Sequence, residues 1–341
     1  MFRVREEPAS GSFLEPSLVR LSGLALLQTY LSGDYDRAPI AHLTGMRPVQ
    51  VEAGAATSVM PLTDWLRTSH GRICDGALII PADSALGSAV HTTLPEATLY
   101  TTAELSLTWL DRPDRESQAV ASGQSIHTTP EVALSRVQVT DQRGRLLAAG
   151  TSRCTVFPPL SDVPDPPASP PPAAGPAPQE PDPYLRPVQG EVLDRAVWDR
   201  SSGLEVLLAQ LRGELPSPPL QDLLGMTLDE VDEAHVALSL PCARWLCGPV
   251  GYLQGGVIAL LAHRALDAAV QATVPAGAGC IPLDVKVNLL RPVPPDGRDL
   301  AAHASVVHRS RSYAIGTADV TNEDGKRVAL ATGSWAYRSM P

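Results

Sequence analysis

Gly251-Tyr252-Leu253-Gln254-Gly255-Gly256 runs directly into Val257-Ile258-Ala259-Leu260-Leu261-Ala262-His263-Arg264-Ala265-Leu266-Asp267-Ala268-Ala269-Val270. A glycine pair followed by apolar helix formers with almost no polar face describes a helix with an open N-terminus and a buried body. The first N–H groups of such a helix lack intrahelical acceptors, and glycine lets a ligand's carbonyl or phosphate approach the backbone. Read alone, the stretch is better taken as a plain core helix entered through a flexible turn. Repetition shifts the balance.

The same pattern occurs earlier in the chain at an offset of 180. That offset places Gly45 with Gly225, Trp65 with Trp245, Gly71 with Gly251, Gly76 with Gly256 and Asp83 with His263. It also lays Leu105-Ser106-Leu107-Thr108-Trp109-Leu110 over Val285-Lys286-Val287-Asn288-Leu289-Leu290. At 181 it pairs His127 with His308, Thr140 with Thr321, Gly144 with Gly325 and Thr151 with Thr332. Matches in this order describe a tandem duplication. Residues 158–187 hold 13 of the 33 prolines and read as an extended, polyproline-like spacer. The domain organisation expected is therefore an N-terminal arm (1–25), a first domain (26–157), a proline-rich linker (158–187) and a second domain (188–341).

Each half reads as a short helix, a strand near 47–60 or 227–240, a loop, the apolar helix and then several strands. Alternation of period two is clearest over 301–307 and 314–320, with Asn322-Glu323-Asp324-Gly325 as a turn into a returning strand, Val328 to Tyr337. One helix followed by an antiparallel meander is an α+β unit. A helix apolar all round is buried only if the sheet wraps it.

Composition narrows the function. With 27 basic and 37 acidic residues the net charge is −10, which argues against nucleic acid as a partner. Aromatic residues make up 4%, so the core rests on Ala, Leu and Val. Five cysteines without a C-x-x-C pair suit buried thiols in a reducing cytosol better than disulfides or a zinc site, and no metal is expected. No apolar run reaches membrane-spanning length, so the reading is a cytoplasmic protein without a membrane partner.

The order Gly-x-x-x-Gly-Gly, apolar helix, VKVNLLRP, alternating strands and TNEDGKRVALATGSWAY resembles the hot-dog fold, specifically acyl-CoA thioesterases of the phenylacetate-pathway type. Residues 220–338 carry the stronger likeness. Residues 40–157 carry a weaker one, with ICDGALIIPADSALG where the family has His-Gly-Gly, a few apolar residues and an acid. The resemblance implies two tandem hot-dog domains in one chain, with sites shared between them. It also implies an acyl-CoA substrate, no cofactor beyond the coenzyme A of that substrate, and further association into a homo-oligomer through the sheets.

Thioester hydrolysis needs donors for the developing oxyanion and a carboxylate to attack or to activate water. Carried over from the resemblance, the acid falls on Asp83 in the first copy and on His263 in the second. The glycine pair falls on Gly255-Gly256 in the second copy and on Asp75-Gly76 in the first. A hydroxyl on the following strand falls on Thr102 in the first copy, with Pro282 opposite it in the second. The losses are complementary. One composite site keeps Asp83, Thr102, Gly255 and Gly256, whereas a degenerate second site is left with His263, Asp75 and Gly76. There Asp75 is expected to cap the helix N–H groups and put negative charge where an oxyanion would form.

Gln254 stands where the family has His, and Pro81 is expected to kink or delay the first helix. Gln254, His70, Arg291, Arg309 and Arg311 are candidate substrate-binding residues, the arginines for coenzyme A phosphates. Two rival readings belong beside the hydrolase. One is a non-catalytic acyl-CoA or acyl-carrier binding protein. The other is a hydratase, discounted because Asp36 and His42, the nearest Asp/His pair, precede the first strand.

Overall fold

A computed structural model describes residues 2–33, 35–165, 180–233 and 235–339. The middle of the proline-rich spacer, 166–179, lies outside the described residues, and so does the extended conformation expected for it.

The first half opens with helices α1 (Gly23–Ser32) and α2 (Pro39–Thr44) and the hairpin β1 (Arg47–Glu52) and β2 (Ala55–Leu62). Helix α3 (Ile79–His91) follows, then β3 (Tyr100–Trp109), β4 (Ser117–Thr128), β5 (Val132–Thr140) and β6 (Leu146–Val156). The second half has α4 (Arg195–Arg200), α5 (Gly203–Leu211), α6 (Pro219–Leu224), β7 (Thr227–Val231) and β8 (His235–Pro241). It then repeats the plan with α7 (Gly255–Ala272), β9 (Ala278–Leu289), β10 (Asp299–Arg309), β11 (Tyr313–Asn322) and β12 (Arg327–Ser339). The single strand expected near 47–60 or 227–240 is in each half two antiparallel strands. In the first half they turn at Gly54, whose φ of 77° suits glycine.

All twelve strands form one antiparallel sheet in the order β1-β2-β4-β5-β6-β3-β9-β12-β11-β10-β8-β7. The halves join where β3 meets β9, and the middle pair of that ladder is Ser106 with Lys286. These two residues are related by the 180-residue offset itself. An approximate two-fold axis therefore passes between them, as it would in a dimer of identical subunits.

Each half wraps its long helix, and the two helices pack against each other. In α7 every residue except Gly255 and Asp267 is buried. Burying each Leu, Ile or Val there contributes about 1.5–3 kcal/mol. Helix α3 starts late. A 3-10 turn, Asp75–Leu78, stands where α7 already has α-helical geometry. Pro81 has no N–H for the carbonyl of residue 77, so the first turn tightens and the α-helix begins at Ile79.

The ends of the halves differ from the loose arm and plain linker expected. Phe2 and Val4 are buried, Phe2 packs edge-on against Trp245 at 5.7 Å, and the Trp245 indole donates to the carbonyl of Glu7 at 3.0 Å. On the other side the Trp65 indole donates to the carbonyl of Arg186 at 3.1 Å. Leu14 N bonds to Pro249 O, and Leu193 N to Ser69 O. Each half thus extends an N-terminal arm over the other half, and the second arm begins inside the stretch read as linker. Hydrophobic packing and backbone pairing of the arms clamp the two halves together.

Candidate active site

Asp83 sits in the second turn of the late-starting helix α3, facing the N-terminus of α7. Its Oδ2 accepts from the Gly256 N–H at 2.8 Å across the joint, and its Oδ1 accepts from the Thr102 hydroxyl at 3.1 Å. At the start of α7, seven and eight residues before His263, both glycines are closely approached. A Cβ on Gly256 would lie 3.0 Å from the carbonyl oxygen of Ile79 and 3.1 Å from the Cβ of Asp83. One on Gly255 would lie 2.9 Å from Leu289 Cδ1 and 3.3 Å from Asp83 Oδ2.

The two glycines differ in role. Gly256 is buried and spends its N–H on the carboxylate, whereas Gly255 is only half-buried, and no acceptor among the described residues meets its N–H. Gln254 precedes them as the helix cap. Its Nε2 donates to the carbonyl of Ile80 at 3.1 Å, and its buried Oε1 has no partner within the protein. Burial pushes the Asp83 carboxyl above the ordinary carboxylate range, opposed by the Gly256 N–H and by the Thr102 hydroxyl. The positive end of the α7 dipole works in the same direction as those two donors. A carboxylate held this way is a base of raised affinity for protons, set beside an open backbone donor.

The related position in the other direction has different chemistry. His263 is buried between aromatic rings, stacked on Trp109 at 4.8 Å with Trp335 at 5.8 Å, and its Nδ1 has no partner within the protein. Burial lowers its pKa to about 4, so the ring is neutral. Gly76 lies so close that a Cβ there would fall 2.1 Å from His263 Cδ2. The expected cap does not form. Asp75 opens its 3-10 turn without bonding the helix N–H groups through a cap, and its carbonyl accepts from the Trp109 indole at 2.8 Å. Burial first, then the nearby Asp267, raises the Asp75 carboxyl to about 7.

Other candidates separate. Arg291 is exposed, donates to the carbonyl of Arg327 at 3.1 Å, and lies two residues beyond Leu289, at the end of β9 that carries the Asp83 site. Arg309 and Arg311 are exposed at the far end. Arg309 lies 5.9 Å over the Tyr337 ring, and Tyr337 pairs with Cys280 at the start of β9. Nine residues of extended chain separate Cys280 from Leu289, roughly 30 Å, so the three arginines do not form one phosphate clamp. His70 is also displaced from the Asp83 site. It stacks on Trp198 at 3.6 Å, hydrogen-bonds Gln271 at 3.2 Å, and lines a cleft with Asp75.

Asp36 and His42 do meet, at 3.0 Å, but in the clamp: His42 also bonds Asp182 of the second arm at 2.9 Å. His42 thus ties the first half to the second arm. The cross-joint bond of Gln254 was not foreseen; its place at the helix cap was the available signal. No group of His, Cys, Asp or Glu among the described residues is arranged to hold a metal ion.

Residues 250–329 match the thioesterase superfamily. That match lies within the second half. Across nearly the whole chain the fold is that of double hot-dog proteins. The tesB protein of Mycobacterium avium subsp. paratuberculosis superposes with a TM-score of 0.55 at 13% identity, over 88% of this chain and 98% of its own. Acyl-CoA thioesterase II TesB2 of Mycobacterium marinum gives 0.54 at 12% identity, with the same coverage of 88% and 98%. A Vibrio cholerae relative named provisionally as an esterase is 24% identical over 137 residues, 40% of this chain and 86% of its own. The double hot dog, rather than one hot-dog domain with an appendage, is therefore the architecture. No described helix is long and apolar enough to cross a membrane.

Proposed function

We propose that this double hot dog hydrolyses acyl-CoA thioesters at one composite site per chain, built from Asp83 and Thr102 of the first half and Gly255 and Gly256 of the second. The observation that carries the reading is the 2.8 Å bond from the Gly256 N–H to Asp83, which seats the acid beside the open N–H of Gly255. In this reading the thioester oxygen takes the Gly255 N–H, and Gly256 and Thr102 orient the acid.

Asp83 removes a proton from water, and the oxygen of that water bonds to the carbonyl carbon. The C–O double bond opens to an oxyanion held by Gly255. The carbon–sulfur bond then breaks as the carbonyl re-forms, and the proton on Asp83 passes to the departing thiolate. The unpaired Gln254 Oε1 provides an acceptor for the attacking water. Arg291, at the same end of β9, is the cation placed to meet the coenzyme A phosphates. The Asp83 pair and the superfamily match favour turnover over a decayed acyl-carrier site. A cytoplasmic location and association through the sheets belong to the same proposal.

Free thiol release from a panel of acyl-CoA substrates tests it. Asp83→Asn is expected to abolish turnover and His263→Ala to spare it; the reverse pattern ends the reading. Hydrolysis in ¹⁸O-labelled water under single-turnover conditions places label in the acid and none in Asp83 if water attacks directly.

A further inference from the structure

His42, buried on α2, has a carboxylate against each ring nitrogen. Nδ1 lies 2.9 Å from Asp182 Oδ1, and Nε2 lies 3.0 Å from Asp36 Oδ1. A neutral imidazole has one N–H and one lone pair, so in that form one of the two carboxylates would face a lone pair. Both contacts are hydrogen bonds only when both nitrogens donate, which is the imidazolium. Arg37 completes the group. Its Nη2 donates to Asp182 Oδ2 at 3.1 Å, and its backbone N–H donates to Asp36 Oδ1 at 2.8 Å. Two cations then balance two carboxylates.

Asp36, Arg37 and Asp182 are the charged groups that face the ring. The first arm packs on it with uncharged Gly11, where a Cβ would lie 2.9 Å from His42 Cδ2. Burial favours the neutral ring and Arg37, 3.3 Å from Nδ1, opposes a second cation, but Asp182 and Asp36 outweigh both and hold the His42 pKa above its ordinary value. Burial of Asp182 is outweighed in turn by His42 and Arg37, which keep its carboxyl below the usual carboxylate range. Asp182 opens the short turn Pro183–Leu185 of the second arm. Tyr184 in that turn packs on the end of α2, where a Cβ on Gly45 would lie 2.7 Å from its ring. The group therefore sits where the second arm crosses onto the first half.

We propose that His42 is a protonation-controlled tie: as an imidazolium it binds Asp36 and Asp182 to each other and seats the second arm on α2, and loss of its proton to solvent releases the arm. The tie acts on the clamp between the two halves that share the Asp83 site. Its contribution is complete below the ordinary histidine pKa and is lost as pH rises through the higher folded value. The inference goes beyond the hydrolase reading and stands whether or not Asp83 turns over thioesters.

Hydrogen exchange of the full chain between pH 6 and pH 9, corrected for the intrinsic base-catalysed rate, tests the tie. The amides to follow are Leu185 and Arg186, which bond to the carbonyls of Asp182 and Pro183. Their protection is expected to be level at the acidic end and to fall above the His42 pKa by up to about tenfold per pH unit, the limit for release of one proton. Ala318, inside β11, should keep its protection. In ¹⁵N NMR both His42 nitrogens should be protonated at pH 6, and the ring's midpoint should mark the onset of the exchange step. His42→Gln offers a single donor nitrogen, so it should abolish the step and leave the arm at the alkaline level throughout. Asp182→Asn should move the His42 midpoint, and the step with it, to lower pH. Level protection of the arm in the parent, an unchanged step in His42→Gln, or a neutral His42 at pH 6 overturns the proposal. So does an equal fall at Ala318, which marks global unfolding instead of release of the arm. Should His42→Gln fail to fold, the direction of the Asp182→Asn shift decides.

Discussion

The two ends of the helix pair began as equivalents and now differ in almost every chemical respect. At one, a carboxylate lies on a backbone N–H and a hydroxyl, with a second N–H open beside it. At the other, a neutral imidazole lies between indoles against a glycine that faces its ring. Identical subunits cannot make this choice, because any change appears at both ends. Duplication within one chain frees each copy to keep one part of the site, and the antiparallel joint brings the retained parts to the same end.

The comparison breaks most directly at the two acid positions. Asp83→Asn is expected to lower kcat for acyl-CoA hydrolysis by about 10²–10⁴-fold, the ordinary contribution of a positioned base. His263→Asn, measured by the same thiol assay, should stay within a few-fold of the parent. Equal losses would mean that the ends are still functionally alike.

Glycine-to-alanine at matched positions sharpens it. In Gly76→Ala the new Cβ would overlap the enclosed His263 ring, so thermal or urea unfolding should report a loss of about 1–3 kcal/mol with turnover per folded molecule little changed. In Gly256→Ala the new contacts, at 3.0–3.1 Å, are milder, but they fall on the turn that carries Asp83. A smaller stability loss and about a 10²-fold fall in kcat are expected.

Protonation separates the ends next. Asp75 has a folded pKa of about 7, above its unfolded value, so its favourable contribution is complete below the unfolded pKa and is lost as pH rises through about 7. Asp75→Asn should therefore match the parent near pH 4 and be the more stable protein near pH 8, by about 1–2 kcal/mol, read as a difference in urea midpoints. At the other end the smallest shift is expected. The acidic limb of kcat/KM should lie above the usual carboxylate range, because burial raises the Asp83 pKa. Thr102→Val removes a donor to that carboxylate and should move the limb further upward; a downward move would mean that another group titrates.

Much of this was legible in the residues. The 180-residue offset forecast a dyad, and the Ser106–Lys286 register carries it. Asp83, Thr102 and the glycine pair could be placed together because the resemblance to hot-dog thioesterases puts the acid of one copy beside the helix start of the other. Pro81 announced a delayed helix because a missing N–H acts locally. His70, Arg309 and Arg311, candidates for substrate contact, lie away from Asp83. Nothing in a linear spacing states which end of a 30 Å strand a loop or a hairpin tip reaches. The crossed arms were missed for a similar reason: Phe2 and Val4 are short apolar signals whose partners lie more than 200 residues away.

The sequence by itself determined the duplicated α+β plan, the buried helix in each copy and the complementary loss of site residues. Periodicity, glycine placement and offset are properties of the chain read along its length. Only the tertiary structure decided that Gly256 holds the acid while Gly255 stays open, that the arms cross, and that the altered end encloses a neutral imidazole between rings. Those outcomes depend on which atoms of two distant segments come within hydrogen-bond distance, and that is settled by packing across the joint.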